Sequence, residues 1–189
     1  LGTVVFVVTL WALLGAKGGK DRSEKTPYAE PATEQASEDN LYLDLEQFFQ
    51  GTEVDVGRVG DRTCVNFPVS LLFTDPYSIR FREEAASVLD LLATVLRLHP
   101  EREITIIGHV DNALLPPEAR QRYGNHLNVG FRYAEVVHTR LSTEFNLQES
   151  RFTVATRGEF EPIASNDTAS GQKQNRRVVV WVLPPTAAD

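Results

Sequence analysis

His109 and Asp111 form an H-x-D pair, a pattern that suggests a metal site, and His99, His126 and His138 are the remaining histidines of the chain. A catalytic zinc needs three protein ligands converging around an open position, and these histidines show neither HExxH nor HxHxD spacing. No metal is therefore expected, and His109 reads as a hydrogen-bonding residue at a strand end. Covalent catalysis fares no better, because the Gly-x-Ser-x-Gly elbow that exposes a nucleophilic serine is missing, as is a phosphate-cradling glycine loop. Cys64 is the only cysteine, which rules out an internal disulfide and a cysteine-rich zinc site. The balance of 19 Lys+Arg against 26 Asp+Glu, a net charge of −7, argues against nucleic acid, whose phosphates need a basic face. The expectation is a protein that binds, with no cofactor and no bond broken.

The elements that position these residues follow from hydropathy. With 189 residues, 42% hydrophobic and 24% charged, the chain suits one folded domain plus appendages. Asn40 is a plausible N-cap for a short amphipathic helix whose Leu41, Leu45, Phe48 and Phe49 share a face before Gly51. A hairpin follows, with Val54, Val56 and Val59 before Gly60-Asp61, and Cys64, Val65 and Phe67 after it. Alternation along that hairpin suggests an inward-facing Cys64. Ala85, Val88, Leu89, Leu92, Val95 and Leu96 recur at helical spacing and predict a long helix over 82–99, stopped by Pro100. Glu103 to Gly108 reads as a β-branched strand. A second long helix, over 129–145 with Asn128 as its cap, buries Val129, Tyr133, Val136, Val137 and Leu141. Strands over 152–156 and 177–183, joined by a polar loop, complete the order. Both long helices are apolar on one side only, so an α+β fold is expected, a two-layer sandwich with both helices on one face of a mixed sheet.

Four segments then become informative as an ordered set: LLFTDPYSIRFREEA (71–85), ITIIGHVDN (104–112), NHLNVGFRYAEVV (125–137) and NRRVVVWV (175–182). Together, over about residues 52–183, they resemble the OmpA-like peptidoglycan-binding domain of outer-membrane protein A, peptidoglycan-associated lipoprotein and the stator protein MotB. Its motifs run Phe-x-x-(Asp/Asn), Gly-His-Thr-Asp, Asn-x-x-Leu-Ser-x-x-Arg-Ala and Asn-Arg-Arg-Val. The resemblance implies a ligand, the diaminopimelate-containing stem peptide of peptidoglycan, bound without cleavage. It implies that Asp111 receives the diaminopimelate ammonium and that Arg132 pairs with its carboxylate. Such a zwitterionic end calls for a fixed carboxylate and a guanidinium fork a few ångströms apart. Arg132 is expected in the first turn of the second helix, where a cation opposes the helix dipole and needs a compensating partner. Asn125, Asp75 and Arg176 are implied as secondary ligand-binding residues, with one arginine of the Arg176-Arg177 pair equally suited to packing against the sheet. The departures from the motif are Val110 for Thr, Asn128-Val129 for Leu-Ser, and Tyr133 for Ala. The segment between Asp111 and Arg132 is long and carries Pro116, Pro117, Arg120 and Arg122. It is expected to cover the groove, widen it or serve a protein partner.

The remaining stretches place the domain. Val4 to Leu14 is an uncharged apolar run followed by Gly15-Ala16-Lys17, so residues 1–16 read as a signal peptide or membrane anchor. The run is shorter than the roughly 20 apolar residues of a spanning helix. Leu14-Gly15-Ala16 is similar to the end of a lipoprotein signal, but Lys17 stands where the acylated cysteine would be. Residues 17–39 contain no Val, Ile, Leu or Phe and read as a flexible periplasmic linker. The OmpA-like domain then occupies 40–183 and a disordered tail 184–189. This layout implies a periplasmic protein attached to the outer membrane, or alternatively to the inner membrane through the N-terminal segment. Its partners would be peptidoglycan and the subunits of an envelope-spanning complex. A stator role is disfavoured because Leu1 to Ala16 lacks the ionisable residue that ion translocation requires. The layout is similar to the small OmpA-like subunit of type IVB (Dot/Icm) secretion systems. The competing expectation is an interaction subunit that keeps the fold but does not bind the wall.

Overall fold

The computed structural model describes residues 33–185. The expected anchor (1–16), the first part of the expected linker (17–32) and the end of the expected tail (186–189) lie outside the described residues.

The expected helix at Asn40 starts earlier. Helix α1 runs Thr33–Phe49, so Asn40 lies inside it rather than capping it. The sequence TEQASED has no apolar period and therefore reads as a tether, yet Ala, Glu and Gln are good helix formers, and they extend the amphipathic turns that follow. Leu41, Leu45 and Phe49 are buried, while Phe48 is largely exposed. Residues spaced by four form one stripe on a helix, and the neighbour of a stripe residue turns some 100° away from it.

Strands β1 (Asp55–Val59) and β2 (Arg62–Pro68) form the predicted hairpin. A single turn, α2 (Val69–Leu72), leads to α3 (Glu83–Leu98), which buries Ala85, Leu89, Leu92, Val95 and Leu96. Strand β3 (Glu103–His109) follows, and then α4 (Pro117–Tyr123), α5 (His126–Thr143), β4 (Phe152–Gly158), α6 (Ala169–Asn175) and β5 (Arg177–Leu183). The sheet order is β1-β2-β5-β3-β4, antiparallel except for the β3–β4 pair. A parallel pair needs a crossover, and α5 supplies it. The fold is therefore the expected α+β arrangement of helices against a mixed sheet, with Val65, Phe67, Ile104, Ile106, Val178, Val180 and Val182 on the sheet side of the core.

Cys64 is buried but not on that side. It lies opposite Gly57 and Trp181, whereas its neighbour Val65 lies opposite Val56 and Val180, so a strand's alternation puts the thiol on the face away from the helices. Burial raises its pKa. Helix α5 approaches β3 very closely: a Cβ at Gly108 would come within 1.8 Å of the Gly130 carbonyl oxygen, and one at Gly130 within 2.5 Å of Thr156 Oγ1. Only glycine permits this contact, which seats α5 directly over the strand leading to Asp111.

Candidate functional site

Asp111 sits just beyond β3 and has no exposed surface. A buried carboxylate needs a charged or hydrogen-bonded partner. Here Arg176, immediately before β5, ion-pairs with it, and the Ala113 amide donates to its other oxygen at 3.3 Å. Arg176 and Arg177 separate as adjacent residues at a strand start must. Arg176 turns to Asp111. Arg177 turns away, donating to the carbonyls of Asn175 (3.1 Å) and Glu161 (3.0 Å), and it lies opposite His109 in the sheet. Burial first, then the charges of Arg177 and Arg157, push His109 down to about 3, which keeps it neutral.

Arg132 pairs with Glu135, not with Asp111. Helix α5 begins at His126, and its cap is Asn125, whose side-chain oxygen accepts from the Asn128 amide at 2.9 Å; Asn128 is therefore not the cap, and Arg132 lies in the second turn rather than the first. The buried stripe of α5 is Val129, Tyr133, Val137 and Leu141, and Arg132 points off it. Its side chain, 42% exposed, pairs with Glu135 in a depression shared with Ile79, Phe81 and Arg140. Tyr133 instead reaches toward the site. It stacks on Phe73 with ring centroids 5.2 Å apart, and its hydroxyl donates to the Pro76 carbonyl. Burial chiefly raises its pKa, with Tyr77, Tyr123 and Asp111 adding to the rise. Read one position later, the motif Asn-x-x-Leu-Ser-x-x-Arg-Ala falls on His126, Val129, Gly130, Tyr133 and Ala134. This register places a small residue at the close helix–strand approach and buries Ala134. In that register the motif's cation is a tyrosine.

Asp75 lies in the turn before α3, where it accepts from the Tyr77 amide (3.3 Å) and the Thr74 hydroxyl (3.3 Å). It borders a cavity of about 290 Å³ together with Tyr77, Ser78, Glu118, Arg122 and Tyr123. Asp75 also borders, with Arg176, a second and smaller hollow, and Tyr77 feels the charges of both Asp111 and Arg176. The cavity thus lies next to the buried ion pair. The long segment after Asp111 forms one wall of this cavity, because α4 buries Ala119 and Tyr123 against the core and leaves Glu118 and Arg122 facing outward. His126 holds the segment in place through the Ala113 carbonyl, 2.8 Å from its Nε2. Asn125 is occupied as the N-cap of α5 and is not among the residues that line the cavity. Among the described residues, no group of three or more His, Cys, Asp or Glu side chains could hold a metal ion.

Two residues outside the expected set of ligand-binding residues help build the site. Asn175 is fully buried; it accepts from the amides of Ile163 (2.8 Å) and Ala164 (3.0 Å) and donates to the Ala164 carbonyl (2.9 Å) and to Asn166 Oδ1 (2.8 Å). It fixes the backbone from which Arg176 extends. Tyr123 is 7% exposed, and its buried hydroxyl has no hydrogen-bond partner.

A model of the OmpA family matches residues 74–176. The chain is 31% identical over 150 residues to the probable lipoprotein YiaD of Escherichia coli (strain K12), covering 76% of this chain and 64% of YiaD. It is 27% identical over 161 residues to Motility protein B of Bacillus subtilis (strain 168), covering 84% of this chain and 60% of that protein. The chain thus spans less than two thirds of the length of these two relatives. Among solved structures, the cell wall anchor of the T6SS from Pseudomonas aeruginosa matches with a TM-score of 0.66 and 28% identity, over 74% of this chain and 96% of that one.

Proposed function

This chain belongs to the OmpA family, and on that premise we propose that it binds peptidoglycan without cleaving it and fastens an envelope-spanning complex to the cell wall. The observation that carries this reading is the cavity beside the Asp111–Arg176 pair, which offers carboxylates, a guanidinium and phenol rings. A diaminopimelate end carries an ammonium and a carboxylate, and charge-assisted hydrogen bonds to both give orientation as well as energy. The ammonium would be taken by the acidic side of the site, Asp75 at the rim and Asp111 beneath it once Arg176 turns outward. Arg176, with 16% of its side chain exposed, has room to turn.

A periplasmic location follows from that ligand. No helix among the described residues is long and apolar enough to cross a membrane; the apolar run of residues 4–14 is the segment that supports membrane attachment. The T6SS cell wall anchor supports a secretion machine as the tethered complex. None of the three relatives named above is a type IVB protein, and that finer assignment rests on layout alone. A second reading, an interaction subunit that keeps the fold but not the wall, is favoured by the complete burial and neutralisation of Asp111.

Co-sedimentation of the full chain with purified diaminopimelate-type peptidoglycan separates the two readings. Wall binding predicts that the chain pellets with the sacculi, that Asp75→Ala weakens this, and that Arg132→Ala does not. A folded parent chain that stays in the supernatant would leave the interaction subunit as the reading.

A further inference from the structure

The proposed ligand has a carboxylate, and the residue expected to receive it, Arg132, is spent on Glu135 at a separate depression. Tyr133, which takes the cation's place in the shifted register, is neutral and has committed its hydroxyl to Pro76. Arg176 pairs with Asp111 and borders a separate hollow, with Arg82 and Lys173, rather than the cavity proposed to take the ligand. We infer that Arg122, on the inserted helix α4, is the residue that receives the ligand's carboxylate, an inference that rests on the wall-binding reading above.

Four observations converge on Arg122. It borders the cavity beside Asp75, Glu118, Tyr77, Ser78 and Tyr123. Among the described residues its guanidinium has no ion pair, and it lies over the Tyr123 ring, 5.9 Å from the centroid. A guanidinium held over an aromatic face keeps its fork of donors free for a planar acceptor. Beneath it, the buried Tyr123 hydroxyl lacks a partner, and a polar ligand group in the cavity would supply one.

The neighbours of Arg122 set the ligand class. Asp75 and Glu118 share its cavity, so a simple anion would gain one guanidinium and meet two like charges. A ligand carrying an ammonium next to its carboxylate is matched at both ends. The site therefore selects a zwitterionic amino-acid terminus over a free carboxylate or phosphate. Helix α4 is thus a wall of the binding site that brings its own cation, which explains how the site tolerates Tyr133.

Lysine-type peptidoglycan isolates the carboxylate, because its side-chain terminus keeps the ammonium and lacks the carboxylate. Binding of the full chain to both wall types would be compared for the parent, Arg122→Ala, Arg122→Lys and Arg132→Ala proteins, with circular dichroism to check folding. Losing a charge-assisted pair predicts that Arg122→Ala weakens diaminopimelate-type binding about 10- to 100-fold. Arg122→Lys should lie between the two, and Arg132→Ala should match the parent. On lysine-type wall the parent should bind about as weakly as Arg122→Ala, and the substitution should make no further difference. Equal binding of parent and Arg122→Ala to diaminopimelate-type wall would overturn this inference and leave wall binding standing. An equal loss on both wall types would overturn it too, by showing that Arg122 acts other than through the carboxylate. A folded parent that binds neither wall would overturn both readings.

Discussion

Removing Arg176 should destabilise the domain more than removing Asp111, although the two form one ion pair. In Arg176→Ala the Asp111 carboxylate stays where it is, with no exposed surface and only the Ala113 amide, at 3.3 Å, donating to it. Leaving a buried charge without its partner costs about 3–5 kcal/mol. In Asp111→Ala the stranded group is Arg176, which has 16% of its side chain exposed and borders an open hollow. It can turn into solvent, so the cost falls to about 1–3 kcal/mol, that of lost hydrogen bonds to a charged group. Urea unfolding followed by circular dichroism measures both. With a slope of about 2 kcal/mol per molar for a domain of this size, the midpoint should fall by about 2 M for Arg176→Ala and by about 1 M for Asp111→Ala. The double variant Asp111→Ala/Arg176→Ala should be less destabilised than the sum of the two, because it leaves no charge behind. The reasoning is refuted if Asp111→Ala is the more damaging of the two, or if Arg176→Ala shifts the midpoint by less than 0.5 M, about a quarter of the expected change at that slope.

Two further outcomes follow from the packing around the site. His109 is neutral in the folded state, with a pKa near 3 set by burial and by Arg177 and Arg157, against about 6.5 when unfolded. The unfolded chain therefore takes up the proton first, and stability present above pH 6.5 is lost as pH falls toward 3, by up to about 1.4 kcal/mol per pH unit. His109→Gln should flatten that slope in urea titrations between pH 7 and 4, and an unchanged slope would contradict the assignment. Gly108→Ala should damage folding outright, because its Cβ would lie 1.8 Å from the Gly130 carbonyl oxygen. A thermal midpoint within a few degrees of the parent would show that α5 does not sit on β3 as described.

The sequence by itself determined the kinds and order of the main elements. The apolar spacing of α3 and α5 is set by the 3.6-residue period, the alternation of β2 and β5 by the two-residue period, and both are local properties of the chain. The glycine of Gly108-His109 was legible as a motif letter, and the structure supplies its reason in the contact with Gly130. The helical start at Thr33 and the turns of α4 were not legible, because neither segment shows a long apolar period. Nor was the side of the sheet that holds Cys64, since a one-residue choice of register turns a side chain to the opposite face.

The candidate binding residues could be read from the sequence only as letters of a motif, without their partners. The motif pointed to Arg132, yet Tyr133 already lies on the Val129–Val137–Leu141 stripe, and a residue one position away must face elsewhere; that geometric signal was present in the sequence. What no local pattern could reveal is that Arg176, sixty-five residues downstream, closes on Asp111, or that α4 brings Arg122 to the cavity bordered by Asp75. Helix and strand periods fix the direction of a side chain relative to its own element. Which charge meets which is decided only when the sheet order β1-β2-β5-β3-β4 sets the end of β3 beside the start of β5.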